Sequence, residues 1–255
     1  MNLVITIGNT NSAVFLCGKK CRKAGTCRTG EKNGRKSIRK ILAGIPGGIT
    51  VAAIVSVVPQ YNKIWTTELN KRGITSIRFL NAATVARSLL EISYKPLGSL
   101  GADRIAGALG AVCLFPEKNR IVIDAGTAIT VNAVSKKNEF LGGMIFPGPA
   151  ALLQALYERT SLLPKLKLTS GKNAIGRTTS ECMRLGVLHQ SAGGIESAVR
   201  SIIKGLSWKN YEIAATGGGW RSIEKLISLP ARYEPELAAE GANYWLEKEK
   251  VKVKN

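Results

Sequence analysis

Leu3-Val4-Ile5-Thr6-Ile7-Gly8-Asn9-Thr10-Asn11-Ser12-Ala13-Val14 opens the chain, and Ile121-Val122-Ile123-Asp124-Ala125-Gly126-Thr127-Ala128-Ile129-Thr130-Val131 answers it near the middle. Each copy is an apolar run of strand length, a small polar turn built on glycine, and a second apolar run. Laid over each other, Gly8 matches Gly126, Asn9 matches Thr127 and Ser12 matches Thr130. Thr6 falls opposite Asp124, so the first copy lacks the carboxylate that the second carries. A glycine turn rich in hydroxyl and amide groups offers N–H donors to phosphate oxygens. Two such turns, one per half of the chain, are suited to grip a nucleotide's phosphates from both sides.

Outward from the repeat, strands alternate with helices. Leu3–Arg28 reads as a pair of hairpins, 37–43 as a short helix, 49–58 as a buried strand, and 61–71 as a helix stopped by Gly73. A strand spans 76–80, Ala82–Ile92 is amphipathic, and Tyr94-Lys95-Pro96-Leu97-Gly98 breaks it. An alanine-rich helix covers Asp103–Phe115, ready to pack closely on a sheet. The second copy leads into Glu139–Ile145, helices over 150–160 and 179–204, a strand at 212–215, and closing helices. Alternation with an internal repeat argues an α/β protein of two similar halves, mixed sheets flanked by helices around a central cleft. The polar break Glu117-Lys118-Asn119 divides them into 1–117 and 118–255.

At 255 residues and 45% apolar content the chain can bury a proper core without a staple. No apolar stretch is long enough to span a bilayer, and the N-terminus enters a strand without a basic leader or signal core. A soluble cytoplasmic protein without a membrane partner is expected. Five cysteines, at 17, 21, 27, 113 and 182, are an odd number and argue for free thiols. Cys17, Cys21 and Cys27 lack the paired zinc spacing, and the one histidine, His189, is far away. It lies in a helical stretch without carboxylates at catalytic spacing, and reads as a surface or interface residue. Net charge is +20, from 37 basic and 17 acidic residues. The basic residues crowd Lys19–Lys40, Lys165–Lys172 and Lys248–Lys254. Such a balance attracts polyanions, but no aromatic residues interleave the basic runs as a nucleic-acid stacking platform needs. Nucleic acid is therefore not expected as a partner, and the charge reads as a solubility trait.

Three glycine turns end strands: Gly8-Asn9-Thr10, Gly126-Thr127 and Gly217-Gly218-Gly219. None matches the Walker pattern, and no G-x-G-x-x-G opens a helix. Asp124 stands where a carboxylate meets a cation, or where an Asp forms a turn. Asp103, in Gly98-Ser99-Leu100-Gly101-Ala102-Asp103-Arg104, reads either as a first-turn residue that favours its helix or as a general base. On the second reading Arg104 grips an anionic substrate group as a fork.

These segments together resemble the type III pantothenate kinases of the acetate-kinase/actin-like superfamily. Ile7-Gly8-Asn9-Thr10-Asn11 is similar to that family's first phosphate motif, D-x-G-N-T, and Asp124-Ala125-Gly126-Thr127-Ala128 to its second, D-x-G-T-A. Gly101-Ala102-Asp103-Arg104 reproduces its G-x-D-R substrate motif, with Tyr94 and Pro96 upstream. Gly142-Gly143-Met144-Ile145-Phe146-Pro147-Gly148 fits its G-G-x-I-x-P-G segment. Thr160–Pro164, Gly176–Thr179 and Thr216–Gly218 fit later stretches, so the likeness runs from Met1 to about Trp245.

The resemblance implies two actin-like, ribonuclease H-like halves, and phosphorylation of pantothenate by ATP at the start of coenzyme A synthesis. Asp103 would be the base, with Tyr94, Gly101, Ala102 and Arg104 lining the pantothenate pocket. Thr179 would reach that pocket from the second subunit of a homodimer. Asp124 would hold a monovalent cation, potassium or ammonium. Thr127 would touch ATP phosphate, opposite a loop of Gly8, Asn9 and Thr10. Magnesium would accompany ATP. The family has Asp where this chain has Thr6, beside the ATP-bound magnesium. The departure implies a slowed kinase; the alternative is a catalytically impaired member with a regulatory or accessory, transcription-related role.

Overall fold

The computed structural model describes residues 1–169 and 174–252, with side chains through Glu249; Lys172 and Lys254 of the basic runs lie outside the described residues. β1 (Asn2–Ile7), β2 (Asn11–Cys17) and β3 (Cys21–Arg28) form an antiparallel meander. There follow α1 (Gly34–Ala43), β4 (Val51–Ser56), α2 (Pro59–Lys71), β5 (Ser76–Leu80), the short β6 (Glu91–Ile92) and α3 (Ala102–Leu114). The second series is β7 (Arg120–Ala125), β8 (Ala128–Val134), β9 (Glu139–Pro147), α4 (Pro149–Arg159) and α5 (Thr179–Gly205). It continues with β10 (Glu212–Thr216), α6 (Trp220–Ile223), β11 (Ala231–Tyr233) and α7 (Leu237–Lys252).

The sequence repeat is a repeat of fold. One sheet has the order β3-β2-β1-β4-β5, and the other, β11-β10-β7-β8-β9-β6, reads the same way as β9-β8-β7-β10-β11. In the first, β4 lies parallel to β1 and β5 to β4. In the second, β10 lies parallel to β7 and β11 to β10. The central strand β1 is apolar on both faces, with Leu3, Val4, Ile5 and Ile7 buried, as expected of a strand covered on both sides. The edge strand β3 instead carries exposed Arg22 and Lys23, charges that discourage pairing with another chain.

Two compact units emerge. The first comprises Met1–Lys118, the hairpin tip Val134–Leu141, and the chain from Glu236 onward; the second comprises Asn119–Ala133 and Gly142–Pro235. A division by sequence order at 117/118 assigns α7 to the second half, whereas by contact α7 belongs to the first unit, where it packs on α3. Glycine makes that packing possible. A Cβ on Gly241 would lie 2.0 Å from the Ala106 carbonyl oxygen, and one on Gly110 would lie 2.2 Å from that of Leu237. The first core is built from Leu3, Ile5, Ile54, Trp65 and Leu69 among others. In the second unit Leu153, Met183 and Val187 join α4 to α5.

The α3–α7 seam yields a stability prediction. Gly241→Val forces two backbones apart, and overpacking of this kind costs about 3 kcal/mol. For a chain of this length that is a fall of roughly 10 °C in Tm. Gly186→Ala, exposed on α5 with nothing within 4 Å of the added carbon, should melt no lower than wild type. A Gly241→Val melting curve superposing on wild type would refute the seam.

Three expectations need correction. Cys17 and Cys21 are disulfide-bonded, because the β2–β3 register sets them directly opposite each other; Cys27, Cys113 and Cys182 form no disulfide. Ala82–Ile92 is not a helix but a run of turns ending in β6. Asn81 Oδ1 accepts N–H bonds from Ala83 (2.9 Å) and Thr84 (3.1 Å), and the Thr84 hydroxyl donates to the Phe79 carbonyl at 2.8 Å. Such side-chain bonds compete with the helical pattern. The closing segment, finally, is not all helix, since β11 adds a strand to the second sheet. Among the described residues no helix is long and apolar enough to cross a membrane.

Candidate functional site

In the first unit, β1 carries half-buried Thr6 between Ala13 of β2 and Val55 of β4. Past its end the chain turns tightly, the Gly8 N–H donating to the Asn11 carbonyl at 3.0 Å. That leaves Asn9 and Thr10 exposed at the tip. The turn is anchored from just past β3, where the Thr29 N–H bonds the Thr10 carbonyl at 3.0 Å and the Thr29 and Ser12 hydroxyls meet at 2.9 Å.

The same end of this sheet receives the G-x-D-R segment. The Val57 N–H donates to the Ile7 carbonyl at 3.0 Å, and Val57 Cγ1 lies 3.6 Å from the position a Gly101 Cβ would take. Thr6, the Gly8 turn and Asp103 are therefore brought to one region of the first unit. Gly101 is the N-cap of α3, Ala102 is buried in its first turn, and Asp103 follows. A Cβ on Gly101 would stand 2.5 Å from Asp103 Oδ1, so a side chain there would displace the carboxylate. The Arg104 N–H donates to Asp103 Oδ1 at 2.7 Å. Burial pushes the Asp103 carboxyl above the usual carboxylate range, against the opposing pull of that bond and of the Arg104 guanidinium.

Arg104 is only 7% exposed. Its guanidinium carbon lies 5.1 Å from the Tyr94 ring centre and 5.3 Å from that of Phe140. The two rings meet edge to face, 6.1 Å apart at 74°. Phe140 escaped the sequence reading. Its signal is weak, an apolar position near the start of β9, because its partner Arg104 is distant in the chain.

In the second unit Asp124 is the next-to-last residue of β7, beside Thr216 of β10. Two glycine segments close around it. The Gly126 N–H donates to the Ala128 carbonyl at 3.0 Å, and the Gly219 N–H to the Ala125 carbonyl at 2.8 Å. Gly217 has φ +91°, and a Cβ there would meet Asp124 Oδ1 at 2.4 Å, so glycine is required on both counts. Thr127 is exposed, its carbonyl accepting the Gly148 N–H at 2.9 Å. This joins the Gly126 turn to the end of the G-G-x-I-x-P-G segment. Among the described residues no three His, Cys, Asp or Glu side chains are grouped to hold a metal. Asp124 is the carboxylate at this turn, and glycine at 217 lets the backbone approach it closely. Thr179 is the exposed first residue of α5, behind the N-cap Thr178, whose hydroxyl accepts the Glu181 N–H at 3.2 Å.

Comparison with known proteins adds an independent line. The profile of the type III pantothenate kinases matches residues 2–201. A type III pantothenate kinase of Chlorobium luteolum is 30% identical over 263 aligned positions, covering 98% of this chain and 95% of its own. Among solved structures, a Campylobacter jejuni protein described as a Baf family transcriptional activator matches with a TM-score of 0.61 at 20% identity, over 97% of this chain and 98% of that one. An archaeal actin homologue matches with a TM-score of 0.50 at 13% identity, over 96% and 99%. At those identities the two structures speak for the fold alone, which is actin-like. The sequence matches go further, and the chain belongs to the type III pantothenate kinase family.

Proposed function

We propose that this protein phosphorylates the primary hydroxyl of pantothenate with ATP, the entry reaction of coenzyme A synthesis. The observation that carries the reading is Asp103. Its carboxylate is raised in basicity by burial and fixed through the Arg104 N–H, which equips it to take a hydroxyl proton. Arg104 holds the pantothenate carboxylate, and Tyr94, Gly101 and Ala102 line the pocket. The deprotonating hydroxyl attacks the γ-phosphorus, the bond to the β-phosphate oxygen breaks, and ADP leaves. Little covalent work falls to the protein in such a transfer, so positioning and charge decide the rate.

The Gly8–Asn9–Thr10 turn and Thr127 serve ATP phosphates through their N–H and hydroxyl donors, and Thr6 would stand beside the magnesium that accompanies ATP. Magnesium bound with ATP neutralises the charge of the transferred group. Asp124 holds potassium or ammonium. The molecule is a homodimer in which Thr179 completes the partner's pocket. Exposed apolar residues of the second unit, Ile145, Tyr157, Leu162 (92% exposed) and Ile175, support an interface there. The regulatory alternative draws on Thr6 and on the +20 charge, but Asp103, Arg104 and Asp124 all stand where the kinase chemistry needs them.

The test is a coupled assay with ATP, magnesium, potassium and pantothenate. ADP formation that depends on pantothenate is expected, with a potassium dependence that Asp124→Asn abolishes. No pantothenate-dependent ADP at micromolar enzyme would overturn the kinase reading. A rate indifferent to potassium would overturn the assignment of Asp124.

A further inference from the structure

We infer that Phe140 is a positioning residue for substrate binding: with Tyr94 it forms an aromatic clamp that fixes the plane and reach of the Arg104 guanidinium. The inference rests on the pantothenate reading above, since it concerns how the carboxylate-binding arginine is held.

Phe140 is fully buried, and it belongs to the hairpin tip Val134–Leu141 that packs within the first unit. The tip is tied down by pairing with β6, where Glu91 stands opposite Glu139 and Ile92 opposite Phe140. The Ser93 N–H adds a bond to the Phe140 carbonyl at 3.1 Å. Tyr94 thus lies two residues past a strand registered against Phe140, so one local ladder delivers both rings to Arg104. Both lie within the distance at which a cation is attracted to a ring face. A guanidinium is planar, weakly hydrated and stacks on aromatic faces. Rings on it therefore restrict its orientation, and a bidentate grip on a carboxylate depends on that orientation. Leucine at 140 would keep an apolar side chain in the core but remove the ring face.

The experiment compares wild type, Phe140→Leu and Phe140→Tyr by steady-state kinetics in both substrates. Two-dimensional NMR of the arginine Nε–Hε groups accompanies it, with the Arg104 signal assigned by its loss in Arg104→Lys. Phe140→Leu should raise the KM for pantothenate about tenfold, equivalent to about 1.4 kcal/mol. It should leave the KM for ATP within twofold, and should move the Arg104 Hε resonance as the ring current is lost. Phe140→Tyr should restore both the KM and the resonance. A pantothenate KM within twofold of wild type in Phe140→Leu would overturn the clamp. So would an equal rise in both KM values that tyrosine does not rescue, which is the mark of a general packing defect. An unmoved Arg104 resonance overturns it even without turnover. If wild type itself fails to turn over pantothenate while the resonance responds as expected, the function assigned above falls, and with it the role in substrate binding, but the clamp stands.

Discussion

Asp103→Asn is expected to lower turnover with pantothenate by about 10²–10⁴-fold, the usual share of a positioned general base, while the protein stays folded. Asparagine preserves the shape and keeps an Oδ1 that can accept the Arg104 N–H, now held at 2.7 Å. What disappears is the capacity to take a proton. The pH dependence follows from the direction in which burial shifts the group. Burial raises the carboxyl's pKa, so the acid limb of kcat/KM in wild type should lie above the range of an ordinary aspartate, about 3.9.

The same shift has a consequence for stability, with a definite sign. The folded pKa is raised above the unfolded one, so the folded state disfavours the ionised form. Stability at this site is complete at pH below the unfolded value and is lost as pH rises through the folded value. Asp103→Asn should therefore melt higher than wild type at neutral pH, and the two curves should converge near pH 4. A variant that keeps turnover within threefold of wild type would remove Asp103 from the chemistry. One that melts lower at pH 7 would show that the carboxylate is stabilised where it stands, contrary to the burial argument.

Much of this was legible in the sequence because the informative signals are local. The duplicated hairpins announced two sheets of one topology, and the structure has them in matching strand order. The Gly101–Arg104 segment announced a helix start with a carboxylate in its first turn, and α3 begins there. What escaped depends on contacts between residues far apart in the chain. The place of α7 on α3 is decided by Gly110 and Gly241, which read in sequence only as poor helix formers. Phe140 reads only as an apolar strand residue until its fold-mates Tyr94 and Arg104 are in view. The Ala82–Ile92 error has the opposite origin. Amphipathic spacing pointed one way, and the short-range bonds of Asn81 and Thr84 won. The Cys17–Cys21 bond was hidden because counting cysteines says nothing about register, and the β2–β3 register is what sets them opposite each other.

The symmetry that made the fold legible also frames the largest expected gain. Thr6 of β1 and Asp124 of β7 hold the same place in two sheets of the same strand order, and only one carries a charge. Thr6→Asp is expected to raise kcat/KM for magnesium-ATP on the order of a hundredfold. One charge at about 5–6 Å from a metal, at an effective dielectric near 20, is worth roughly 3 kcal/mol, and that difference is about two decades of rate. Thr6 is half-buried, and its neighbours across the ladders are Ala13 and Val55, neither of which can neutralise a carboxylate. The variant should accordingly melt lower than wild type without nucleotide and gain more than wild type when magnesium-ATP is added, because the ligand then supplies the missing cation. Thr6→Asn separates charge from hydrogen bonding: it offers a similar oxygen and no charge, and should give no comparable gain. Equal rates in the aspartate variant and wild type would mean that position 6 does not face the metal. An equal gain from asparagine would mean that the effect lies in hydrogen bonding, and that the lost carboxylate is not what limits this kinase.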